Sequence, residues 1–150
     1  MRPFLHLRII PLGLFILVSS INAQTIETIK PFTSDGCSSF PDGTLAQKKL
    51  WLKCCVEHDK SYWQGGTKQQ RLDADIQLKQ CVESVGKPRI AELMLAGVRV
   101  GGSPYWPTKF RWGYGWDYPK GYAELSNQEK EQASKAWQNY LKSLTKNSKE

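Results

Sequence analysis

The order of apolar and polar positions predicts helices separated by breaks rich in glycine and proline. Leu45, Leu52, Cys55, Asp59 and Tyr62 recur at the spacing of one helical face, with His58 three residues past Cys55 on the same side. Thr44 suits the cap of that helix and Gly65-Gly66 its stop, so it should run from about Leu45 to Gln64. Thr67 opens a second helix through Leu72, Asp75, Leu78 and Val82, ending at Gly86 before Pro88. The short link between them makes the two helices antiparallel neighbours. A third, shorter helix is expected from Pro88 to Ala96, with proline in a tolerated first-turn position and Gly97 as the stop. Ser126 and Glu129 have the spacing of a capping box, and Ala133, Ala136, Trp137, Tyr140 and Leu144 then mark one face of a terminal helix. The polar end from Lys146 to Glu150 is expected to fray.

The remaining segments read as irregular. Gln24 to Ser34 is a polar, extended lead-in broken by Pro31, and Asp35 to Thr44 is a tight loop of glycines, proline and small polar residues. Val98 to Pro104 connects the third helix to an aromatic tract, Tyr105 to Tyr122, whose glycines and prolines predict a loop or short hairpin. No repeat and no second core is visible, so the fold class is all-α with one domain over residues 24–150.

The first 23 residues stand apart. Arg2 and Arg8 precede the apolar stretch Ile9 to Val18, and small residues close the segment at Ala23, the layout of a cleavable secretory signal. The stretch is shorter than the roughly 20 residues that span a bilayer, so export, secreted or periplasmic, is expected rather than a membrane anchor. Removal of the signal leaves 19 basic and 14 acidic residues, a net charge of +5. That balance favours anionic partners without choosing among membranes, cell-wall polymers and nucleic acid. Export makes nucleic acid the least expected of these.

All four cysteines, Cys37, Cys54, Cys55 and Cys81, lie in the exported part, where an oxidising compartment favours two disulfides. A bond between Cys54 and Cys55 is sterically poor, because neighbours on a helix point about 100° apart. Either remaining scheme ties that pair to two distant partners. A zinc site built from the cysteines and His58 competes with disulfides, but adjacent ligands lack the usual C-x-x-C spacing.

His58 is the only histidine outside the signal segment, which holds His6. On a helix, Cys55, His58, Asp59 and Tyr62 fall at i, i+3, i+4 and i+7, so one face carries a cysteine, an imidazole, a carboxylate and a phenol. A lone helical histidine is most often structural; one beside a carboxylate and behind paired cysteines points to hydrolytic chemistry.

The segment Cys54-Cys55-x-x-His58-Asp59-x-x-Tyr62 resembles the C-C-x-x-H-D-x-C-Y active-site helix of secreted phospholipase A2. In that family a second aspartate lies six residues before a cysteine on the antiparallel partner helix, and Asp75 lies six before Cys81. The Asp35-Gly36-Cys37-Ser38-Ser39 loop is similar to the cysteine-containing calcium loop, most closely to its abbreviated form in divergent secreted members. The resemblance covers Asp35 to Cys81, about one third of the chain.

The resemblance implies a fold of two antiparallel disulfide-linked helices, and it implies roles. His58 would be the general base that activates water, Asp75 would orient its ring, and Tyr62 would hydrogen-bond that carboxylate. Asp59 would bind Ca2+, with loop carbonyls near Gly36 and Ser38 completing an oxygen shell. It also implies the pairing Cys37 with Cys55 and Cys54 with Cys81. The expected activity is calcium-dependent ester hydrolysis of glycerophospholipids at a membrane surface. Three features depart from the family: Cys37-Ser38-Ser39-Phe40-Pro41-Asp42-Gly43 replaces the glycine-rich loop, Ser61 replaces a cysteine, and nothing after Gly86 matches.

Two questions stay open in the sequence. The tract's Trp and Tyr residues, interleaved with Arg99, Lys109, Arg111 and Lys120, either meet a membrane interface or sugar rings, or wrap a small core. An exported protein of this kind is also open to a non-catalytic role, binding lipid or envelope on the same helical scaffold.

Overall fold

A computed structural model describes residues 27–147, so the signal-like segment lies outside the described residues. The fold is all-α, with α1 over Leu52–Gln64, α2 over Lys68–Ser84, α3 over Pro88–Gly101 and α4 over Asn127–Asn147, and no strand occurs among the described residues. None of the described helices is long and apolar enough to cross a membrane. Two disulfides, Cys37–Cys55 and Cys54–Cys81, account for every described cysteine. The second joins the start of α1 to the end of α2. At the other end of the pair, Tyr62 late in α1 meets Arg71 early in α2, so the two run antiparallel. α3 returns along α2, with Lys79 paired to Glu92 and Arg99 to Asp75.

Local signals placed two helix starts. Thr67 and Gln70 form a complete capping box at α2, and Ser126 and Glu129 exchange the equivalent bonds at the start of α4. Two other expectations fail. α1 begins at Leu52, not near Leu45, because Trp51 is buried and its two N–H groups are taken by upstream carbonyls: the backbone N–H by Asp42 and the indole by Pro41. Thr44 therefore caps only a local turn, accepting from the Gln47 N–H, and Leu45 is left fully exposed. α3 runs through Gly97 to Gly101 and absorbs the expected Val98-to-Gly101 connection. Val98 packs on the core and Arg99 pairs with α2, so burial and charge extend the helix past a weak former.

The apolar interior lies on both sides of α1 instead of forming one core. Cys54 and Cys55 join Trp51, Leu78, Val82, Ala91 and Met94 in a cluster toward α2 and α3. On the other side Trp63 packs with Ile29, Phe32, Trp116, Leu125 and Ala133, drawing in the lead-in and α4. Truncating a tryptophan in such a position costs about 3–5 kcal/mol.

The aromatic tract is a chain of turns without a hairpin, and it completes the end of α1. A helix C-terminus leaves its last carbonyls without intrahelical donors. Here the Tyr62 and Trp63 carbonyls accept from the backbone of Gly113 and Gly115, at 2.6 and 3.0 Å. The Gln64 and Gly66 carbonyls accept from the indoles of Trp116 and Trp112, at 2.8 and 2.9 Å. The cations interleaved with the tract are mostly engaged within the protein. Buried Arg111 donates to the Gly113 and Trp116 carbonyls, Lys120 pairs with Glu27 and Glu129, and Arg99 pairs with Asp75. Lys109 is the exposed member, while Tyr105, Trp106 and Tyr118 keep about half their surface in solvent.

Candidate functional site

His58, Asp59 and Tyr62 project from α1, and α2 supplies Asp75 directly behind them. Asp75 is fully buried. Its Oδ1 accepts the Tyr62 hydroxyl at 2.7 Å and faces His58 Nε2 at 3.0 Å. A carboxylate only accepts, so in the neutral imidazole Nε2 carries the proton and Nδ1 the lone pair. Nδ1 has no hydrogen-bond partner among the described residues. His58 and Tyr62 also lie ring on ring, with centroids 4.2 Å apart.

The histidine opens onto a cavity of about 360 Å³, within the size range of small-molecule sites. Gly36, Ser38, His58, Asp59 and Tyr62 all line it, so the residues singled out from sequence converge on one space, with Asp75 just behind. The rest of the wall is largely apolar. Leu78 contributes from α2, Leu93, Met94 and Val98 from α3, and Phe40 and Phe110 from the loops. Leu93 and Phe110 are also 58% and 37% exposed, so the mouth is apolar too. Much of this wall comes from α3, beyond the part of the chain that carries the family resemblance.

The loop beside Asp59 is held in an unusual backbone shape. Gly36, Ser38 and Ser39 all have positive φ, at 79°, 23° and 63°, and the two serines occupy a region that L-residues rarely adopt. Cys37 is bonded to Cys55 on α1, and its N–H donates to Asp42 Oδ1 at 2.9 Å. A side chain at Gly36 would run into that same carboxylate. Ser34, delivered by the lead-in, donates to Asp59 Oδ2 at 2.6 Å and accepts from the Gly36 N–H at 3.1 Å. The carbonyl oxygens of Gly36 and Ser38 accept no hydrogen bond from a described residue.

Burial pushes the Asp59 carboxyl up to about 7; the Ser34 hydroxyl opposes the rise, and Asp35 and Asp42 add to it. An acid with a raised folded-state pKa binds its proton more tightly in the fold than in the unfolded chain. Stability should therefore fall as pH rises from about 4 to about 7. In chelator, Asp59→Asn should remove that slope and leave the fold more stable than wild type above pH 7, by about 1–2 kcal/mol after allowance for solvent screening. Thermal denaturation of both proteins from pH 5 to 8 reads this out, and parallel curves would refute it.

No group of three or more His, Cys, Asp or Glu side chains suited to a metal occurs among the described residues. With every described cysteine in a disulfide, the zinc alternative is set aside. The candidate donors in this region are oxygens: the carboxylates of Asp59 and of Asp35, which line a shared pocket, and loop carbonyls without a described donor. That set fits a hard divalent cation rather than a soft one.

Four contributors were not visible as site residues in the sequence: Ser34, Arg71, Arg99 and Gly102. Arg71 donates from Nε to the Tyr62 oxygen at 3.0 Å, which turns the hydroxyl proton toward Asp75. Its other nitrogens donate to the Tyr122 hydroxyl and to the carbonyls of Val98 and Arg99. Gly102 lets the chain pass against the Tyr62 ring, where any side chain would collide. Of these, only Arg99 stands out in the sequence, as one of the cations near the aromatic tract. No family profile, curated protein or solved structure matches this chain.

Proposed function

We propose that the protein is an exported, calcium-dependent esterase of the phospholipase A2 kind, acting on glycerophospholipids. The observation that carries this reading is the His58 Nδ1 lone pair, backed by Asp75 and Tyr62, opening beside Asp59 into an apolar cavity. The resemblance of the α1 segment points the same way.

In this reading an acyl chain lies among Leu78, Leu93, Met94 and Val98, which brings its ester carbonyl toward His58 and Asp59. His58 Nδ1 takes a proton from water as the water oxygen bonds to the carbonyl carbon. The imidazolium formed is balanced by Asp75 through Nε2–H, and the same proton passes to the departing glycerol oxygen as the ester C–O bond breaks. Asp59 and the carbonyls of Gly36 and Ser38 would hold Ca2+, which would polarise the ester carbonyl and balance the negative charge developing on its oxygen. Apolar walls exclude bulk water from that charge and strengthen each interaction.

The test is joint dependence on lipid and metal. The oxidised protein on mixed anionic and zwitterionic liposomes should release fatty acid at least about a hundredfold faster with calcium than with chelator. Equal release would remove the cation from the proposal.

Gly97 gives a second handle. It lines the cavity, a side chain there would meet nothing within 4 Å, and its φ is ordinary. A mid-helix glycine with no packing reason costs about 1 kcal/mol relative to alanine. Gly97→Ala should therefore stabilise the fold, whereas Gly97→Leu should fill the cavity and lower the ratio of long-chain to short-chain ester turnover by about tenfold or more. An unchanged ratio would move the acyl chain elsewhere.

The apolar mouth formed by Leu93 and Phe110 also suits a binding module that holds lipid without cleaving it. Product formation separates the two readings.

A further inference from the structure

The carboxylate behind His58 is balanced from α3. Asp75 has no exposed surface, and a buried charge without a counter-charge is strongly disfavoured. Its Oδ1 is occupied by Tyr62 and His58. Its Oδ2 lies 3.0 Å from Arg99 Nε, an ion pair whose angle falls short of an aligned hydrogen bond. Among the described residues Arg99 is the one lysine or arginine paired with Asp75, since Arg71 is spent on Tyr62, Tyr122 and two carbonyls. Arg99 is fixed at both ends. Its Nη2 donates to the Leu72 carbonyl at 3.0 Å, and its own carbonyl accepts from Arg71.

We propose that Arg99 is a positioning residue for the hydrolysis described above: by holding Asp75 Oδ2 it keeps Oδ1 turned to His58, so that Nδ1 presents its lone pair to the cavity. The inference rests on the esterase reading for its catalytic consequence, but not for its structural one. Because the contact is charge at close range more than aligned geometry, a lysine should restore much of it. α3 also forms much of the cavity wall, so one helix fixes both the space for the substrate and the orientation of the base.

The test uses the oxidised protein at pH 8 and nitrogen NMR of the His58 imidazole, its signals identified as those missing in His58→Gln. Wild type should show one tautomer, protonated at Nε2. Arg99→Met should show mixed tautomers and a kcat lowered at least tenfold with KM within about threefold, and Arg99→Lys should recover most of both. If Arg99→Met fails to fold, Asp75→Asn supplies the background, because it removes the charge that needs balancing. Adding Arg99→Met to Asp75→Asn should then change neither tautomer nor kcat further. A single Nε2-protonated form with kcat within twofold of wild type in Arg99→Met would overturn the proposal, as would a further loss in the double variant. A fixed tautomer in wild type, lost in Arg99→Met, in a protein with no turnover on any ester would instead sustain the role of Arg99 and remove the esterase reading.

Discussion

Replacing His58 with glutamine is expected to lower ester hydrolysis by about 10²–10⁴-fold while leaving the fold in place. The glutamine amide is close to imidazole in reach and can still donate to Asp75 Oδ1, so the buried carboxylate keeps its partner. What is lost is the basic lone pair, because an amide does not take up a proton near neutral pH. KM, which in this account depends on the apolar wall from Leu78, Leu93, Met94 and Val98, should change little. Fatty-acid release and a melting curve on the same sample separate the outcomes. Release within twofold of wild type would assign the base elsewhere. A collapsed melting temperature would make His58 a core residue, as most helical histidines are.

The second large effect concerns the covalent tie between α1 and α2. Cys54 and Cys81 close a loop with a sequence separation of 27, at the end of the helix pair away from the Gly65-Gly66 link. Changing both to alanine should destabilise the protein by about 2–4 kcal/mol, mainly through the freed unfolded chain, and lower Tm by 10 °C or more. Alanine avoids burying an unpaired hydroxyl next to Trp51 and Val82. The other bond should behave differently. Cys37–Cys55 ties the 36–40 loop to α1, so Cys37→Ala with Cys55→Ala should loosen the carbonyls beside Asp59 and impair calcium response more than it impairs the helix pair. Guanidine titration with a parallel calcium titration distinguishes them. Equal losses in both properties for both pairs would argue against this division of labour.

The contrast between what sequence disclosed and what it concealed follows from the range of the interactions. Thr67 with Gln70 and Ser126 with Glu129 act over three residues, so two helix starts were legible as local chemistry. The face carrying Cys55, His58, Asp59 and Tyr62 was legible because helical periodicity alone places it. The start of α1 was not, because it depends on Trp51 reaching back to Pro41 and Asp42 in a folded loop. The extension of α3 past Gly97 is not legible either, since nothing local reveals that Val98 is covered or that Arg99 meets Asp75. The aromatic tract was the hardest segment. Trp112 and Trp116 donate to carbonyls some 50 residues away, at separations of 46 and 52, which no local pattern encodes. Composition left open whether the tract faces outward or wraps a small core; its two most buried tryptophans, Trp112 and Trp116, finish α1 from behind.

The same distinction applies to the site. Its reactive groups share one helix and one partner helix, and so were visible. The groups that hold them come from the lead-in, the start of α2 and the end of α3, and act largely through backbone contacts or charge, which leaves no spacing to read. Arg71 and Arg99 look like ordinary surface cations in the sequence, yet one orients Tyr62 and the other balances Asp75.

The most direct test is mass analysis of the lipid products formed by the oxidised protein on phospholipid vesicles, with calcium and with chelator. The account predicts lysophospholipid and free fatty acid in equal amounts, formed with calcium and nearly absent with chelator. Recovery of intact phospholipid under both conditions, with the vesicles bound, would contradict it and leave a lipid-binding protein built on the same helices.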